Sequence, residues 1–253
     1  MQAGKVWFIG AGPGDPELLT VKGRRLIETA DLVIYAGSLV PQSIVALAKP
    51  EAQVADSAPL SLEESHALTR SAVLQGQNVA RVHTGDPSLY GAVREQIHLL
   101  RKEGIACEIV PGVTAACAAA ARAGISFTVP GITQSLIITR LAGRTPMPET
   151  ERLGALAAHG CSLAVYLSAK NARRLQEELA MLPGDTPVLC AHRVGWPDEK
   201  IAWTTTAQLA TSVEKLGLAR QTVFLVLPGQ NAEDARSCLY DPAFGHGWRD
   251  PSL

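Results

Sequence analysis

The chain has 253 residues, 47% of them hydrophobic and 19% charged, with a formal net charge of -1. That composition fits a globular protein and excludes intrinsic disorder, and it lacks the basic excess needed for phosphate-driven nucleic-acid binding. The longest apolar run, Thr114 to Ala123, is too short and alanine-rich to span a bilayer. With no signal-peptide pattern, and no CxxC pair among Cys107, Cys117, Cys161, Cys190 and Cys238, a cytoplasmic protein with reduced thiols is expected.

In chain order, Lys5 to Ile9 reads as a buried strand and Leu18 to Ala30 as a helix, with Leu18, Leu19, Leu26 and Ile27 at helical spacing. A strand at Asp31 to Tyr35, a short helix at Pro41 to Leu47 and an extended piece at Gln53 to Ala55 follow. Ser61 and Glu64 form a capping box for a helix running to Leu74. A strand then ends at His83, a helix is expected over Leu89 to Lys102, a strand over Ala106 to Val110 and an alanine-rich helix over Val113 to Arg122. This alternation predicts parallel pairing through right-handed crossovers.

Pro130 and Gly131 mark a boundary in the stretch Gly124 to Gly131. The expected organisation is therefore two α/β domains, residues 1–123 and 124–253. The second should hold strands at Ser135 to Thr139, Ser162 to Leu167, Pro187 to His192, Ile201 to Thr205 and Thr222 to Leu227, and a helix at Asn171 to Met181. These predict a mixed sheet, with an irregular tail after about residue 230.

Two glycine-rich turns stand where a strand hands over to a helix: Gly10 to Pro16 (GAGPGDP) and His83 to Gly91 (HTGDPSLYG). Small residues at such a place let backbone approach a ligand and let amides face it. A dinucleotide fingerprint fits poorly. Asp15 replaces the third glycine and Pro13 removes an amide, although Asp31 lies near the acidic spacing. The second turn lacks a P-loop lysine and serine, so a triphosphate with magnesium is not expected. Asp86 could cap the segment after it, or accept hydrogen bonds from a cationic, nucleoside-bearing ligand. No His, Cys and carboxylate spacing suggests a metal site, and none is predicted.

These turns, with Val110 to Ala115 (VPGVTA), occur in the order found in the class III, or tetrapyrrole, S-adenosylmethionine-dependent methyltransferases, which the chain resembles from about Lys5 to Gly229. Thr139 to Glu149 (TRLAGRTPMPE), Val82 to Ala92 and Gly195 to Ile201 (GWPDEKI) resemble the branch that methylates carbon 11 of precorrin-4 or cobalt-precorrin-4 in corrin synthesis. The resemblance implies the tetrapyrrole methylase fold, a homodimer, S-adenosylmethionine as cofactor with S-adenosylhomocysteine as product, and a tetrapyrrole substrate. It assigns the cofactor to Pro13, Thr84, Gly85, Asp86, Leu89, Thr114, Ala115, Tyr166, Leu167, Val194, Pro228 and Gly229, with Pro228-Gly229 placed beside Tyr166-Leu167. Thr84 stands where the family commonly has glycine, and Val194-Gly195 replaces a small residue followed by threonine.

A macrocycle with several carboxylate arms calls for cationic partners, and Arg81, Arg140 and Arg144 are the candidates. His83 is a candidate proton acceptor, since a neutral imidazole can take a proton from substrate or product. The alternatives are another precorrin or uroporphyrinogen III methyltransferase, or a nucleotide-binding module without methyl transfer.

Overall fold

The run Val6-Trp7-Phe8-Ile9 lies in a strand covered on both faces, which explains its near-continuous apolarity. The computed structural model describes residues 4–143, 145–232, 235–245 and 247–249. It divides into two compact units, one ending at Ala118 and including Arg193–Glu199, the other covering Ala119–His192 and the chain from Lys200 onward.

In the first unit β1 (Val6–Gly10), α1 (Val21–Thr29), β2 (Leu32–Tyr35), α2 (Gln42–Val45), β3 (Gln53–Asp56), α3 (Leu62–Leu74), β4 (Val79–His83), α4 (Val93–Lys102) and β5 (Cys107–Val110) follow in order. All five strands are parallel, in the spatial order β3-β2-β4-β1-β5. Ile9, Ile27, Val33, Ile44 and Val82 pack on one face, and Phe8, Ile34, Val73, Val93 and Leu100 on the other. The chain leaves β1 toward β2, past β4, and leaves β4 toward β5, past β1. Loops at the carboxyl ends of these two central neighbours therefore depart in opposite directions, the switch point where open parallel sheets hold ligands.

Two helices start later than their periodicity predicts. Asp15 caps a short 3-10 turn, Pro16–Leu18, and Thr20 caps α1 by accepting from Gly23 N. Tyr90 (φ 56°) and Ala92 (φ 48°) are left-handed, which excludes helix until Val93. The capping box is present as expected: Glu64 N donates to Ser61 Oγ and Ser61 N to Glu64 Oε2.

The helix α5 (Ala115–Ala123) carries the division between the units. The second unit contains β6 (Leu136–Arg140), α6 (Leu153–Ala157), β7 (Ser162–Tyr166), α7 (Ala172–Glu178), β8 (Pro187–His192), β9 (Lys200–Thr205), α8 (Leu209–Leu216) and β10 (Thr222–Val226). The sheet order is β6-β7-β10-β8-β9, with β6 and β7 parallel and the other pairs antiparallel, so the sheet is mixed. Leu163, Val165, Leu175, Val188, Cys190 and Phe224 form its core. The helices α6 and α8 have no side-chain N-cap and were not expected. They are held by burial of Leu153 and Ala157, and of Leu209 and Val213.

Candidate ligand site

Backbone pairing continues beyond the ends of β1 and β4. Ala11 N donates to His83 O at 2.8 Å, Gly85 N to Gly12 O at 2.8 Å, and Gly12 N to Gly85 O at 3.2 Å. Gly12 (φ 72°) and Gly85 (φ 64°) are both left-handed, a conformation glycine adopts without steric cost. The loop after β5 closes on the same point. A Cβ on Gly10 would stand 2.6 Å from Gly112 Cα and 2.7 Å from Gly85 O, and one on Gly112 would collide with Gly85 O. Three strand ends thus meet through glycine backbone. On its other side Gly85 is open, its nearest neighbour there being Thr114 Cα, 4.0 Å from an added Cβ.

Asp86 ties these loops together. Its Oδ2 accepts from Gly112 N at 2.9 Å, and its Oδ1 accepts from Ser88 N at 2.8 Å and from Ser88 Oγ. Burial opposes its ionisation, but the Ser88 hydroxyl and the Gly112 and Ser88 amides outweigh it, so the carboxyl titrates below its usual value. Asp86 therefore bridges to the β5 loop and caps the turn in which Leu89 N donates to Asp86 O at 3.1 Å. It does not cap α4. Within this unit the structure places Pro13, Thr84, Gly85, Asp86, Leu89 and Thr114 on the three loops after β1, β4 and β5, and Ala115 at the start of α5. Val194 joins them, its carbonyl oxygen 2.7 Å from where a Cβ on Gly14 would lie.

In the second unit Arg140, at the end of β6, is in register with Tyr166 at the end of β7. Leu167 follows in the left-handed region (φ 54°) and is 71% exposed. The Arg140 guanidinium donates to Leu141 O, Thr145 O and Pro146 O, so it braces the loop after its own strand. Arg144 lies outside the described residues. Pro228 and Gly229 are not beside Tyr166 and Leu167. Because β10 runs antiparallel to β7, with Phe224 opposite Val165, Pro228 falls about 17 Å along the strand from the Tyr166 end, at ~3.3 Å per residue. Gly229 packs instead on Val129 and Thr133. The residue that does enter β10 at the Tyr166 end is Gln221, left-handed at φ 51°. Strand direction was needed to find it. Among the described residues, four of the five left-handed non-glycine positions, Tyr90, Ala92, Leu167 and Arg193, lie in or beside loops that the sequence assigned to ligand binding, and such strain collects at functional sites.

Two expectations, His83 and Arg81, are corrected by burial and position, and position also removes the spacing match at Asp31. His83 is 5% exposed, and its Nε2 is buried with no hydrogen-bond partner among the described residues. Burial, with the Arg81 charge adding to it, pushes its pKa down to about 3, so it is a weak base poorly placed to accept a proton. Arg81 is 8% exposed in mid-strand, donating to Gln96 Oε1 and Ile34 O. It lines a water-sized space with Ser65, Thr69 and Leu100 and belongs to the packing beneath α3 and α4. Asp31 stands before the amino end of β2, where it accepts from Lys49 Nζ at 2.6 Å and Asn78 N at 2.8 Å. A ribose-binding acid would be needed at the carboxyl end. Among the described residues no group of His, Cys, Asp or Glu is arranged to hold a metal ion, and no helix is long and apolar enough to cross a membrane.

The model for Tetrapyrrole (Corrin/Porphyrin) Methylases matches residues 5–210. A cobalt-precorrin-4 C(11)-methyltransferase of Priestia megaterium is 46% identical, covering 97% of both chains. A precorrin-4 C(11)-methyltransferase of Pseudomonas aeruginosa is also 46% identical, over 96% of this chain and 98% of its own. The solved structure of a cobalt precorrin-4 methyltransferase, a cobalamin biosynthetic enzyme, superposes with a TM-score of 0.86 at 46% identity, covering 88% of this chain and 94% of that one. A uroporphyrin-III C-methyl transferase of Thermus thermophilus, complexed with S-adenyl homocysteine, gives a TM-score of 0.74 at 25% identity, covering 92% and 96%. Convergent glycine loops on a parallel sheet, a mixed second sheet and these matches lead to one conclusion: the chain belongs to the tetrapyrrole (corrin/porphyrin) methylase family.

Proposed function

We propose that this protein transfers a methyl group from S-adenosylmethionine to carbon 11 of precorrin-4 or its cobalt form, releasing S-adenosylhomocysteine in corrin synthesis. The observation that carries the reading is the meeting of the β1, β4 and β5 loops around Gly85, within a chain 46% identical end to end to a cobalt-precorrin-4 C(11)-methyltransferase. The donor set fits the cofactor. Gly85 offers an open backbone face, and Asp86 supplies a negative charge that its hydrogen bonds keep ionised, which favours a sulfonium over a phosphate.

When bound, S-adenosylmethionine supplies a methyl group already activated on a positive sulfur, so the protein needs no covalent nucleophile. The work left to this chain is orientation and exclusion of water. Loop backbone at Pro13, Thr84, Gly85 and Thr114 holds the donor side, with Ala115 and Leu89 beside it. In the second unit the antiparallel pairing of β10 with β7 favours Tyr166, Leu167 and Gln221 over Pro228 and Gly229. Arg140 and Arg144 are assigned to the carboxylate arms of the substrate. His83 takes no proton in this scheme. We further propose a cytoplasmic location, a reading supported by free cysteines that include the buried Cys161 and Cys190, and a homodimer, which the family resemblance implies.

The test is transfer from 13C-methyl S-adenosylmethionine to enzymatically prepared precorrin-4 and cobalt-precorrin-4, with the new carbon–carbon bond located by NMR. Label at carbon 11 supports the proposal. Label at another carbon, or transfer only to uroporphyrinogen III, transfers the chain to a different branch. A nucleotide-binding module would give no labelled product, and the position of Asp31 already disfavours that reading.

A further inference from the structure

The segment Arg193–Glu199 packs on the first glycine loop. The Trp196 indole Nε1 donates to Pro13 O at 2.8 Å. Gly14 has no room for a side chain, because a Cβ there would overlap Trp196 Cδ1 and stand 2.6 Å from Nε1. Gly195 (φ 81°) meets the loop as closely, with Asp15 N 2.5 Å from where its Cβ would lie. Both segments carry glycine at the point of approach.

The segment is braced from within. The Arg193 guanidinium lies over the Trp196 ring at 3.9 Å and donates through Nε to Asp198 Oδ1 at 2.6 Å. Gly195 N donates to Glu199 Oε2 at 2.7 Å and Trp196 N to Arg193 O at 2.9 Å. Arg193 is held in the left-handed region at φ 48°, a conformation that persists only when its surroundings impose it. All of this fixes one indole N–H. Pro13 has no N–H of its own, so its carbonyl is the polar group by which the loop can be gripped. In a planar trans peptide the C=O and the following N–H point opposite ways. Turning Pro13 O toward Trp196 therefore directs Gly14 N–H to the other side of the loop.

We propose that Trp196 is a positioning residue for the cofactor: through Pro13 it sets the peptide orientation of the first glycine loop, with Arg193 and Asp198 holding the indole in place. This rests on the loop binding S-adenosylmethionine, as proposed above. The test uses the full chain as wild type, Trp196→Phe, and Trp203→Phe as a control at an exposed tryptophan on β9. Hydrogen–deuterium exchange of the ligand-free proteins and calorimetry with S-adenosylhomocysteine are read together.

Trp196→Phe keeps an aromatic ring under Arg193 and removes the N–H together with part of the ring surface that packs on Gly14. Exchange should quicken in the peptide over residues 10–19, S-adenosylhomocysteine should bind about fivefold more weakly, as for one lost hydrogen bond, and KM for the tetrapyrrole should stay unchanged. Trp203→Phe should match wild type. Should Trp196→Phe fail to fold, Asp198→Asn should quicken exchange in the same peptide and weaken S-adenosylhomocysteine binding, both by less than Trp196→Phe is expected to. Unchanged exchange, or quicker exchange with unchanged affinity, overturns the proposal while leaving the methyltransferase reading intact. A wild-type protein that binds no S-adenosylhomocysteine overturns both.

Discussion

Replacing Asp86 by asparagine preserves shape, yet the geometry forbids a neutral outcome. Oδ1 accepts from Ser88 N and Oγ, and Oδ2 accepts from Gly112 N. An asparagine has one acceptor oxygen, so its NH2 must face either Ser88 or Gly112, donor against donor. A hydrogen bond to a charged group contributes roughly 1.5–3 kcal/mol. Partial solvent access places Asp86 in the lower part of that range, so a loss of about 2 kcal/mol is expected. For a protein of this size that corresponds to a fall in Tm of about 4–8 °C. The pH dependence has a definite sign. The folded carboxyl titrates below its ordinary value of 3.8, so its contribution is present above that value and is lost as pH falls through the folded one. The assay is urea denaturation of wild type and Asp86→Asn at pH 7 and at pH 3, alongside S-adenosylhomocysteine calorimetry at pH 7. The gap should narrow at low pH, and affinity should fall at pH 7. Stability within about 0.5 kcal/mol of wild type would refute the bridging role.

His83→Leu should leave kcat within about threefold of wild type, against the 10²–10⁴ expected for loss of a general base; pre-steady-state methyl transfer checks it. Since burial lowers the His83 pKa to about 3, the unfolded chain takes up its proton first as pH drops below about 6.5, and His83→Leu should flatten the loss of stability between those two values. Arg81→Met should keep the tetrapyrrole KM within twofold and lower stability by roughly 1–3 kcal/mol, because Gln96 Oε1 and Ile34 O lose their donor; a tenfold rise in KM would return Arg81 to the substrate site. Arg140→Ala should raise the tetrapyrrole KM about tenfold with S-adenosylhomocysteine affinity unchanged, as steady-state kinetics and calorimetry would separate.

The first sheet was legible because β1, β2 and β4 are buried on both faces and its turns are written in glycine and proline. The capping box at Ser61 was legible because it is entirely local. What the residues did not disclose depends on tertiary context. Tyr90 and Ala92 are ordinary helix-compatible residues forced left-handed, so α4 starts four residues late. The helices α6 and α8 lack side-chain N-caps and exist because the core accepts Leu153 and Leu209. Arg81 and His83 alternate with apolar residues in a strand covered on both faces, where alternation does not distinguish ligand contact from packing. Pro228-Gly229 sits at the wrong end of its strand, since local pattern carries no record of strand direction, and the same antiparallel pairing places Gln221 near the Tyr166 end.

The central claim, that the glycine loops on the first sheet hold S-adenosylmethionine, is tested most directly by calorimetric titration of the purified protein with S-adenosylhomocysteine, with NAD as the control ligand. Saturable binding of S-adenosylhomocysteine with no response to NAD is the predicted result. Binding of NAD in its place would contradict the account and make the Gly10 to Pro16 loop a dinucleotide site on a methylase fold.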